Sequence, residues 1–423
     1  MERYYQPEIE CASREQIRAW QNERLVKQVQ NVWDNVPYYR KKMEEKGLTP
    51  GDIKGVADLS KLPFVTKDDL REAYPYGLTA RPIKDCVRIQ STSGTTGKRV
   101  VAFYTQHDLD LWEDCCARAI VAAGGTNEDV CHVSYGYGLF TGGLGLHGGA
   151  ERIGATVIPA STGNTARQIT MLQDYGSTML CCTPSYALYI GETLEKNHIP
   201  LSTIHLKAGL FGAEPWTLGM KEEIEKRLGI KAYDIYGLSE ISGPGVSFGC
   251  DGSDGLHVND DHFLIEIGDP VTGKVLPDGE KGEVVFTTLT KRALPLLRYN
   301  THDISSITHE RCACGRTLTR MARITGRSDD MLIIRGVNVF PSQIESVLLS
   351  VGQVEPYYMI LVDRVNNLDV MEIKVELSAD AFSDRVRGIE ELEAKIRASI
   401  ESTLGISAKV TFVEPSSLPR SEG

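Results

Sequence analysis

A chain of 423 residues, with 41% hydrophobic and 24% charged residues, has the composition of a globular protein with roughly two to four domains. Its formal net charge of −11 opposes non-specific binding to nucleic acid, so an anionic substrate would need local positive groups. The N-terminus has no signal-peptide pattern, and no run approaches about 18 apolar residues. We therefore expect a cytoplasmic protein without nucleic-acid or membrane partners.

The N-terminal region is predicted to be helical. Apolar residues recur at helical spacing between about residues 12 and 47, and Val36 followed by Pro37 interrupts the pattern. Thr66 and Asp69 have the spacing of a capping box, which predicts the start of a further helix.

The rest of the chain changes character twice. Between about residues 85 and 240, strand-like runs alternate with helices, which is typical of an α/β layer structure. Short strands and turns follow between about 245 and 325. Past Asp329 the order strand–helix–strand–strand–helix–strand predicts a small α+β domain. No internal repeat is apparent.

A hydroxyl-rich loop between two strand-like runs is the most informative segment. It comprises Ser91, Thr92, Ser93, Gly94, Thr95, Thr96, Gly97 and Lys98. The glycines let backbone amides turn inward as an anion nest, and the hydroxyls and the Lys98 ammonium add donors. The glycines are too closely spaced for a Walker A loop. We interpret the segment as a phosphate-binding loop; the alternative is a plain Ser/Gly linker.

This loop resembles the phosphate loop of adenylate-forming enzymes, the acyl- and aryl-CoA synthetases. Four further segments occur in the order typical of that family. The first resembles the loop that lines the adenine and consists of Gly212, Ala213, Glu214 and Pro215. The second, residues 233–240, resembles the central motif and contains Asp234, Tyr236, Gly237 and Glu240. The resemblance implies that Tyr236 stacks on the base and that Glu240 ligates Mg²⁺. Lys98 and Glu240 are the candidate catalytic residues.

The other two segments concern the ribose and the hinge. Residues 297–303 resemble the motif whose final aspartate, here Asp303, holds both ribose hydroxyls. Residues 326–330 resemble the hinge motif, which implies that Arg327 also reaches the ribose and that Asp329 is the pivot.

A narrower resemblance, to the phenylacetate–CoA ligase branch, covers nearly the whole chain. It is carried by residues 62–69, 135–159 and 334–341. The glycine-rich aromatic segment suggests a pocket for a flat ring, formed by Tyr135, Phe140, Gly142 and Gly143. The alternative is a tightly packed glycine turn with core aromatics.

Cysteines in the middle of the chain form a separate constellation. Cys250, His257, Cys312 and Cys314 supply ligands that suit a closed, structural Zn²⁺ site in the loop region 250–314. His262 and His309 compete with His257 for the nitrogen position. Free thiols beside a surface histidine are the alternative to a zinc site.

The resemblance implies an α/β protein of two domains. Residues 1–328 would form a large, multi-layer adenylation domain with mixed sheets, and residues 329–423 a small, mobile α+β lid. The family's C-terminal lysine would follow Gly423, so we expect the chain to stop before it.

The implied activity is that of an acid–thiol ligase. ATP and an aryl acid would give an acyl-adenylate and pyrophosphate, and CoA would then displace AMP. The expected ligands are ATP, Mg²⁺, CoA, a phenylacetate-type acid and structural Zn²⁺, and a homodimer is possible. The motifs leave two alternatives open: transfer of the acid to a carrier protein, and a non-catalytic binding protein of the same fold.

Overall fold

The N-terminal region is helical, as its pattern predicted. The computed structural model describes residues 4–92, 99–329, 332–334, 337–365, 368–378 and 386–420. The chain opens with helices α1 (Pro7–Glu10), α2 (Arg14–Asn35), α3 (Pro37–Glu45) and α4 (Lys67–Glu72). The predicted break at Val36 separates α2 from α3, with Pro37 in the first turn of α3. Thr66 and Asp69 form the predicted capping box of α4.

A nine-stranded mixed sheet is the largest structural layer. Its strands are β3 (Val130–Val133), β4 (Thr156–Ile158), β5 (Met179–Cys182), β6 (Ala208–Gly212), β7 (Lys231–Leu238), β8 (Gly243–Cys250), β9 (Ser253–Val258), β13 (Ile307–Thr308) and β14 (Arg320–Met321). The order in the sheet is β13-β14-β9-β8-β7-β6-β5-β3-β4. Neighbouring strands in the part β7-β6-β5-β3-β4 are parallel. Neighbouring strands in the part β13-β14-β9-β8-β7 are antiparallel.

Helices cover both faces of the parallel half. They are α5 (Gln106–Ala122), α6 (Gly142–Arg152), α7 (Thr165–Asp174), α8 (Pro184–Lys196) and α9 (Leu218–Leu228). Apolar residues of α5 and α6 share one core with the sheet, and those of α7, α8 and α9 share a second core on the opposite side. Because both faces are covered, a strand such as β5 is buried along its whole length.

Two smaller sheets flank this layer. A hairpin pairs β1 (Arg88–Ser91) with β2 (Val101–Tyr104). The other sheet has the order β10 (Phe263–Gly268), β11 (Gly282–Thr288), β12 (Tyr299–Ser305) and β15 (Gly326–Arg327). Single 3₁₀ turns occur at Pro50–Asp52, Val56–Lys61, Ile83–Asp85 and Leu201–Thr203. The two strands predicted on either side of the hydroxyl-rich loop are therefore present.

The C-terminal part has its own core. Its elements are β16 (Leu332–Ile334), β17 (Val337–Val339), α10 (Pro341–Val351), β18 (Val354–Val365), β19 (Leu368–Leu377), α11 (Val386–Leu404) and β20 (Lys409–Val413). Both helices pack on the β18-β19-β20 sheet through apolar side chains. The order matches the prediction except that a β16–β17 hairpin replaces the single first strand. Within the described ranges, no helix combines the length and apolar character needed to cross a bilayer.

Candidate active site

A cleft opens at the carboxyl ends of β6 and β7, next to the change from parallel to antiparallel pairing. Open α/β sheets bind ligands at this end. The cleft is lined by Gly212, Ala213, Glu214, Pro215, Trp216, Asp234, Ile235, Tyr236, Gly237, Leu238, Leu256, Asp303, Ile324 and Arg327. Every predicted nucleotide-binding residue outside the hydroxyl-rich loop therefore lies at one site.

Two glycines allow the strands around this cleft to approach closely. A Cβ at Gly212 would lie 2.1 Å from the carbonyl oxygen of Ile235, and one at Gly237 would lie 1.7 Å from that of Gly243. Ala213 has a positive φ of 72°, which turns the chain out of β6. The predicted adenine loop therefore begins with a backbone geometry that larger residues could not adopt.

Asp303, Tyr236 and Arg327 form the polar centre of the cleft. The Tyr236 hydroxyl donates to Asp303 Oδ2 at 2.6 Å, and Arg327 Nη1 donates to Oδ1 at 3.1 Å. Asp303 and Arg327 are paired residues of β12 and β15. Asp303 is 5% exposed; burial raises its pKa, and the Arg327 charge opposes this rise. The arrangement presents a carboxylate acceptor beside a cation.

The predicted hinge residue is joined to this group. Arg327 donates from Nε to Asp329 Oδ1 at 2.8 Å and from Nη2 to Oδ2 at 2.7 Å. Arg327 thus bridges Asp303 and Asp329, the residue at which the predicted lid begins. Sequence reasoning assigned these residues separately and did not predict the bridge.

The adenine side of the cleft contains a second, partly buried acid, Asp234. Asp234 Oδ2 lies 3.6 Å from Arg323 Nη2, and the Arg323 guanidinium lies over the Trp216 ring at 4.4 Å. Burial raises the pKa of Asp234 despite the charge of Arg323. Glu214 accepts a hydrogen bond from the Ser185 amide at 2.6 Å. Trp216 and Arg323 were missed from sequence because neither belongs to a quoted motif.

Glu240 lies just beyond β7 and does not line the cleft. It is 2% exposed, and its Oε1 accepts a hydrogen bond of 2.5 Å from the Tyr299 hydroxyl. Burial and the Glu240 charge raise the pKa of Tyr299 well above its ordinary value. Tyr104 donates to the carbonyl of neighbouring Ser239 at 3.1 Å. The predicted metal ligand is thus held in place by side chains from β2 and β12.

The predicted phosphate loop can be followed only at its edges. The Ser91 amide donates to the Leu139 carbonyl at 2.8 Å, and the Thr92 amide donates to that of Val100 at 3.0 Å. Ser93, Gly94, Thr95, Thr96, Gly97 and Lys98 lie outside the described residues. β1 therefore joins the start of this loop to the aromatic segment.

The aromatic segment is closely packed. Tyr135 is buried, whereas Phe140 is 39% exposed. A Cβ at Gly142 would lie 2.6 Å from Phe140 Cε1 and 3.1 Å from Tyr135 Cδ1, and one at Gly143 would lie 2.9 Å from the Gly136 carbonyl. The space beside these glycines is filled by the segment itself, which matches the alternative interpretation of a packed glycine turn. The four predicted pocket residues do lie together.

The Cys/His constellation is a compact buried cluster. One ligand atom each from Cys250, His257, Cys312 and Cys314 lies within 4.8 Å of every other. His257 Nε2 is 3.3 Å from both the Cys250 and the Cys314 sulfur. Hydrogen bonding to Cys250 lowers the pKa of Cys314, which favours a thiolate.

The other candidate histidines lie elsewhere. His262 Nδ1 is 2.9 Å from Thr290 Oγ1 and its Nε2 is 3.0 Å from Asp261. His309 Nδ1 is 2.5 Å from Asp278. Of the three histidines considered from sequence, His257 is the one beside the cysteines.

The cluster fits the size of a zinc site. Zn–S bonds of about 2.3 Å at tetrahedral angles place two sulfurs ~3.8 Å apart. The Cys250 and Cys312 sulfurs are 3.7 Å apart. A Cβ at Gly252 would lie 2.4 Å from the Cys314 nitrogen and 2.8 Å from the Cys312 sulfur, so the hairpin accepts only glycine there without rearrangement.

The loop that carries Cys312 and Cys314 also contacts the N-terminal region, at Tyr4 and Glu10. The Tyr4 hydroxyl donates to the Cys314 carbonyl at 2.8 Å. Arg316, whose Nη1 lies 3.7 Å from the Cys314 sulfur, pairs with buried Glu10 of α1 at 2.7 Å. The cluster therefore connects two loops and the N-terminal helix.

Comparison with known proteins identifies the family. Residues 17–289 match the AMP-binding enzyme family, and residues 336–423 match the AMP-binding enzyme C-terminal domain. The phenylacetate-coenzyme A ligase of Thermus thermophilus is 47% identical over 432 residues, which cover 99% of this chain and 97% of the relative. That of Escherichia coli is 48% identical over 417 residues, covering 98% of this chain and 95% of the relative.

Solved structures confirm the predicted fold class. In its postadenylation state with 2-HIB-AMP, 2-hydroxyisobutyryl-CoA ligase matches with a TM-score of 0.94 at 28% identity, covering 99% of this chain and 90% of that one. The same ligase with 2-HIB-AMP and CoA in the thioesterification state gives 0.75 at 29% identity, covering 99% and 91%. The arrangement of the present chain thus follows the postadenylation structure more closely. The chain belongs to the phenylacetate–coenzyme A ligase family of AMP-binding enzymes, the family that its motifs resemble.

Proposed function

We propose that this chain is an ATP-dependent, AMP-forming aryl-acid–CoA ligase of the phenylacetate type. In the first step the acid carboxylate attacks the α-phosphorus of ATP, which gives the acyl-adenylate and releases pyrophosphate. In the second step the CoA thiol attacks the acyl carbon, the thioester bond forms and AMP leaves. The observation that carries the proposal is the group formed by buried Asp303 with Tyr236 and Arg327 in the cleft at the carboxyl end of the parallel strands.

Nucleotide binding follows from the chemistry of this group. Asp303 offers a bidentate acceptor for two ribose hydroxyls, and Arg327 offers donors beside it. Tyr236 presents its ring to the cleft, where it would contact the base. Gly212, Ala213, Glu214, Pro215, Asp234 and Gly237 would complete the adenine pocket. Lys98 and the hydroxyls of its loop would hold the phosphates.

Mg²⁺ fits the donor set at Glu240. A carboxylate oxygen is the kind of ligand that this ion prefers, and Tyr299 fixes the orientation of the carboxyl group. When bound, the ion would neutralise phosphate charge. Positioning and charge neutralisation are the main contributions that a protein makes to phosphoryl-type chemistry.

Two further parts of the site would serve the acid and the reaction with CoA: the aromatic segment and the proposed pivot Asp329. Phe140, which is 39% exposed beside the closely packed Tyr135, Gly142 and Gly143, would offer aromatic surface to an aryl acid. Asp329 is the proposed pivot about which the C-terminal domain turns between the two steps. Its two hydrogen bonds with Arg327 couple that pivot to the nucleotide site.

We also propose that Cys250, His257, Cys312 and Cys314 bind one structural Zn²⁺. Four protein ligands leave no open coordination position, so the ion would stabilise rather than catalyse. The contacts from Tyr4 and Arg316 show what it would stabilise: the junction of α1 with the loops of the large sheet.

The activity is tested with the purified protein, ATP, Mg²⁺, CoA and a panel of phenylacetate, benzoate, indoleacetate and short fatty acids. Pyrophosphate, AMP and acyl-CoA are measured together by mass spectrometry. We expect phenylacetate-type acids to give equal amounts of AMP and acyl-CoA, at rates at least about tenfold above those of the fatty acids. Pyrophosphate release without a CoA thioester would favour a carrier-protein acceptor. No pyrophosphate release with any acid would contradict the enzymatic function.

A further inference from the structure

A fully enclosed lysine lies beneath the turn that carries Glu240. Lys291, in the connection between β11 and β12, is 5% exposed. Its Nζ donates to the carbonyl oxygens of Glu240 at 2.9 Å and Ile241 at 2.6 Å. It also lies 4.7 Å from the centre of the Tyr104 ring. No carboxylate among the residues that the structure describes forms an ion pair with it.

This environment satisfies the ammonium group without a counter-ion. Two N–H groups donate to carbonyls, and the third faces the negative face of an aromatic ring. Burying a cation in this way opposes folding, and an apolar residue of similar length would avoid that cost but would leave the two carbonyl oxygens without these donors. The hydrogen bonds of the lysine therefore act on the backbone of one turn. Both of its hydrogen bonds go to the Glu240–Ile241 turn.

The turn is held from three directions. Lys291 fixes the backbone of Glu240, and Tyr299 fixes its carboxyl group. Tyr104 holds the preceding carbonyl, that of Ser239. The Ser239 hydroxyl lies 3.2 Å from Thr141 Oγ1, within the aromatic segment. The turn therefore connects the proposed metal ligand to the aromatic segment.

The backbone next to Lys291 is held by hydrogen bonds to a different element. Asp108 of α5 accepts hydrogen bonds from the backbone amides of Arg292 at 2.6 Å and Ala293 at 3.0 Å. The same carboxylate caps the start of α5 through Thr105. The chain beside Lys291 is thus anchored independently of the Glu240 turn, so the side chain can transmit a fixed position to it.

We propose that Lys291 is a positioning residue for Glu240. Its two hydrogen bonds set the backbone so that the carboxylate points where Mg²⁺-bound ATP needs it. This inference rests on the proposed role of Glu240, and it adds that the role depends on a lysine that touches neither nucleotide nor acid. A shift of ~1 Å in such a supporting contact is enough to weaken a polar site.

The test compares Lys291→Met, which keeps length and removes the donors, with Lys291→Arg, which keeps a cation and donors. Lys207→Met is the matched control, because Lys207 precedes the amino end of β6, whereas the cleft lies at the carboxyl end of that strand, and Lys207 pairs with Asp129. Binding is measured by calorimetry for ATP across a Mg²⁺ titration and for AMP without Mg²⁺. Thermal unfolding of each variant is followed in parallel.

We expect Lys291→Met to weaken ATP binding in saturating Mg²⁺ about tenfold and to raise the half-saturating Mg²⁺ concentration. AMP affinity should stay within about twofold, because Asp303 and Arg327 are unchanged. Lys291→Arg should recover part of the Mg²⁺ response, and Lys207→Met should match wild type.

Equal losses for ATP and AMP, or wild-type Mg²⁺ dependence in Lys291→Met, would overturn the positioning role. Failure of both position-291 variants to fold would assign the lysine to stability and would overturn it as well. Absence of any Mg²⁺ effect on ATP binding by wild type would instead contradict the role of Glu240 itself.

Discussion

The nucleotide cleft and the contact between the two domains are built in different ways. In the cleft, polar groups on neighbouring strands pair with one another: Asp303 and Arg327 are paired residues of β12 and β15, and Tyr236 completes the group. All three lie outside the C-terminal part of the chain, and Arg327 also binds Asp329, the proposed pivot. The domain contact, in contrast, combines polar side chains that reach across from separate elements with apolar packing of Leu349 and Tyr357 against the core of α7, α8 and α9.

Polar contacts join the two domains at several positions. Arg227 of α9 pairs with Glu355 at 2.6 Å, and Thr217 donates to Glu345 of α10 at 2.7 Å. Arg420 pairs with Glu192 of α8 at 3.0 Å. Arg420 also pairs with Glu376 at 2.7 Å, and its guanidinium carbon lies 3.4 Å from the centre of the Tyr357 ring.

This difference indicates which contacts can break and form again: those between the two domains. Charged groups that separate regain hydration, so an interface built from them can open at modest cost, and contacts between domains are commonly polar. The chain matches the postadenylation state of 2-hydroxyisobutyryl-CoA ligase better than its thioesterification state, with TM-scores of 0.94 and 0.75. We predict that the domain contact, rather than the cleft, rearranges between the two steps of the reaction.

The largest expected effect is a loss of stability on disruption of the Cys/His cluster, whose four residues lie between Cys250 and Cys314 and outside the C-terminal part of the chain. We expect purified protein to hold about one Zn²⁺ per chain without added metal. Cys312→Ser should lower metal content and thermal stability together, because metal binding is coupled to the folding of these loops. Elemental analysis and calorimetry measure both quantities.

Cys86→Ser is the matched control, since Cys86 is a partly exposed thiol remote in sequence from the cluster. Metal-free wild-type protein of full stability would contradict the zinc site. Zinc retained in His257→Ala would show that His257 is not a required ligand.

The next effect concerns the ribose site. Asp303→Ala removes the acceptor of Tyr236 and a partner of Arg327, and it leaves two ribose hydroxyls unmet. Each unmet buried polar group costs about 1–3 kcal/mol, so AMP affinity should fall about 100-fold. Calorimetric titration with AMP measures this loss, with the exposed Asp254→Asn as control. AMP affinity within twofold of wild type would remove the ribose assignment.

Whether a feature of the fold or of the site could be predicted from the sequence depends on how far apart along the chain its contacting residues lie. The capping box of Thr66 and the break at Val36 depend on local chain chemistry, and both are present. The cleft residues could be predicted because their motifs occur in family order. The spacing of Asp303 and Arg327 along the chain, however, gives no sign that they face each other across two strands.

The remaining features depend on strand register. His257 lies beside the cysteines because β8 and β9 form a hairpin and β14 pairs with β9 at this residue. Spacing alone could not separate it from His262 or His309. Lys291 lies outside the quoted motifs, and Tyr299 lies inside the ribose motif but was given no role there. The structure adds the contacts of both residues with Glu240, which the sequence does not indicate.

The smallest expected effect is a change in the pKa of His302, the residue before Asp303, whose Nδ1 lies 3.1 Å from Glu283 Oε1. Burial raises the pKa of Glu283, but hydrogen bonds from His302, Ser328 and Asn300 lower it to about 2. The hydrogen bond with Glu283 raises the pKa of His302. The histidine's contribution to stability is therefore complete below its unfolded pKa of about 6.5, and it is lost as pH rises through the folded value.

In Glu283→Gln, the pKa of His302 should fall towards its ordinary value. NMR titration of the imidazole signals measures the change, and His309, which pairs with Asp278 elsewhere, serves as the internal control. An unchanged pKa for His302 would show that Glu283 does not set its charge.

The most direct test of the contrast between a fixed cleft and an adjustable interface measures the two half-reactions separately in Glu192→Gln/Glu355→Gln. Glu195→Gln is the control, because Glu195 lies 3.9 Å from Arg227 but does not reach across the interface. We predict that pyrophosphate release from ATP and phenylacetate slows about tenfold, since two interdomain ion pairs are lost. Thioester formation from supplied acyl-adenylate and CoA should be unchanged or faster. Equal slowing of both half-reactions would contradict the account.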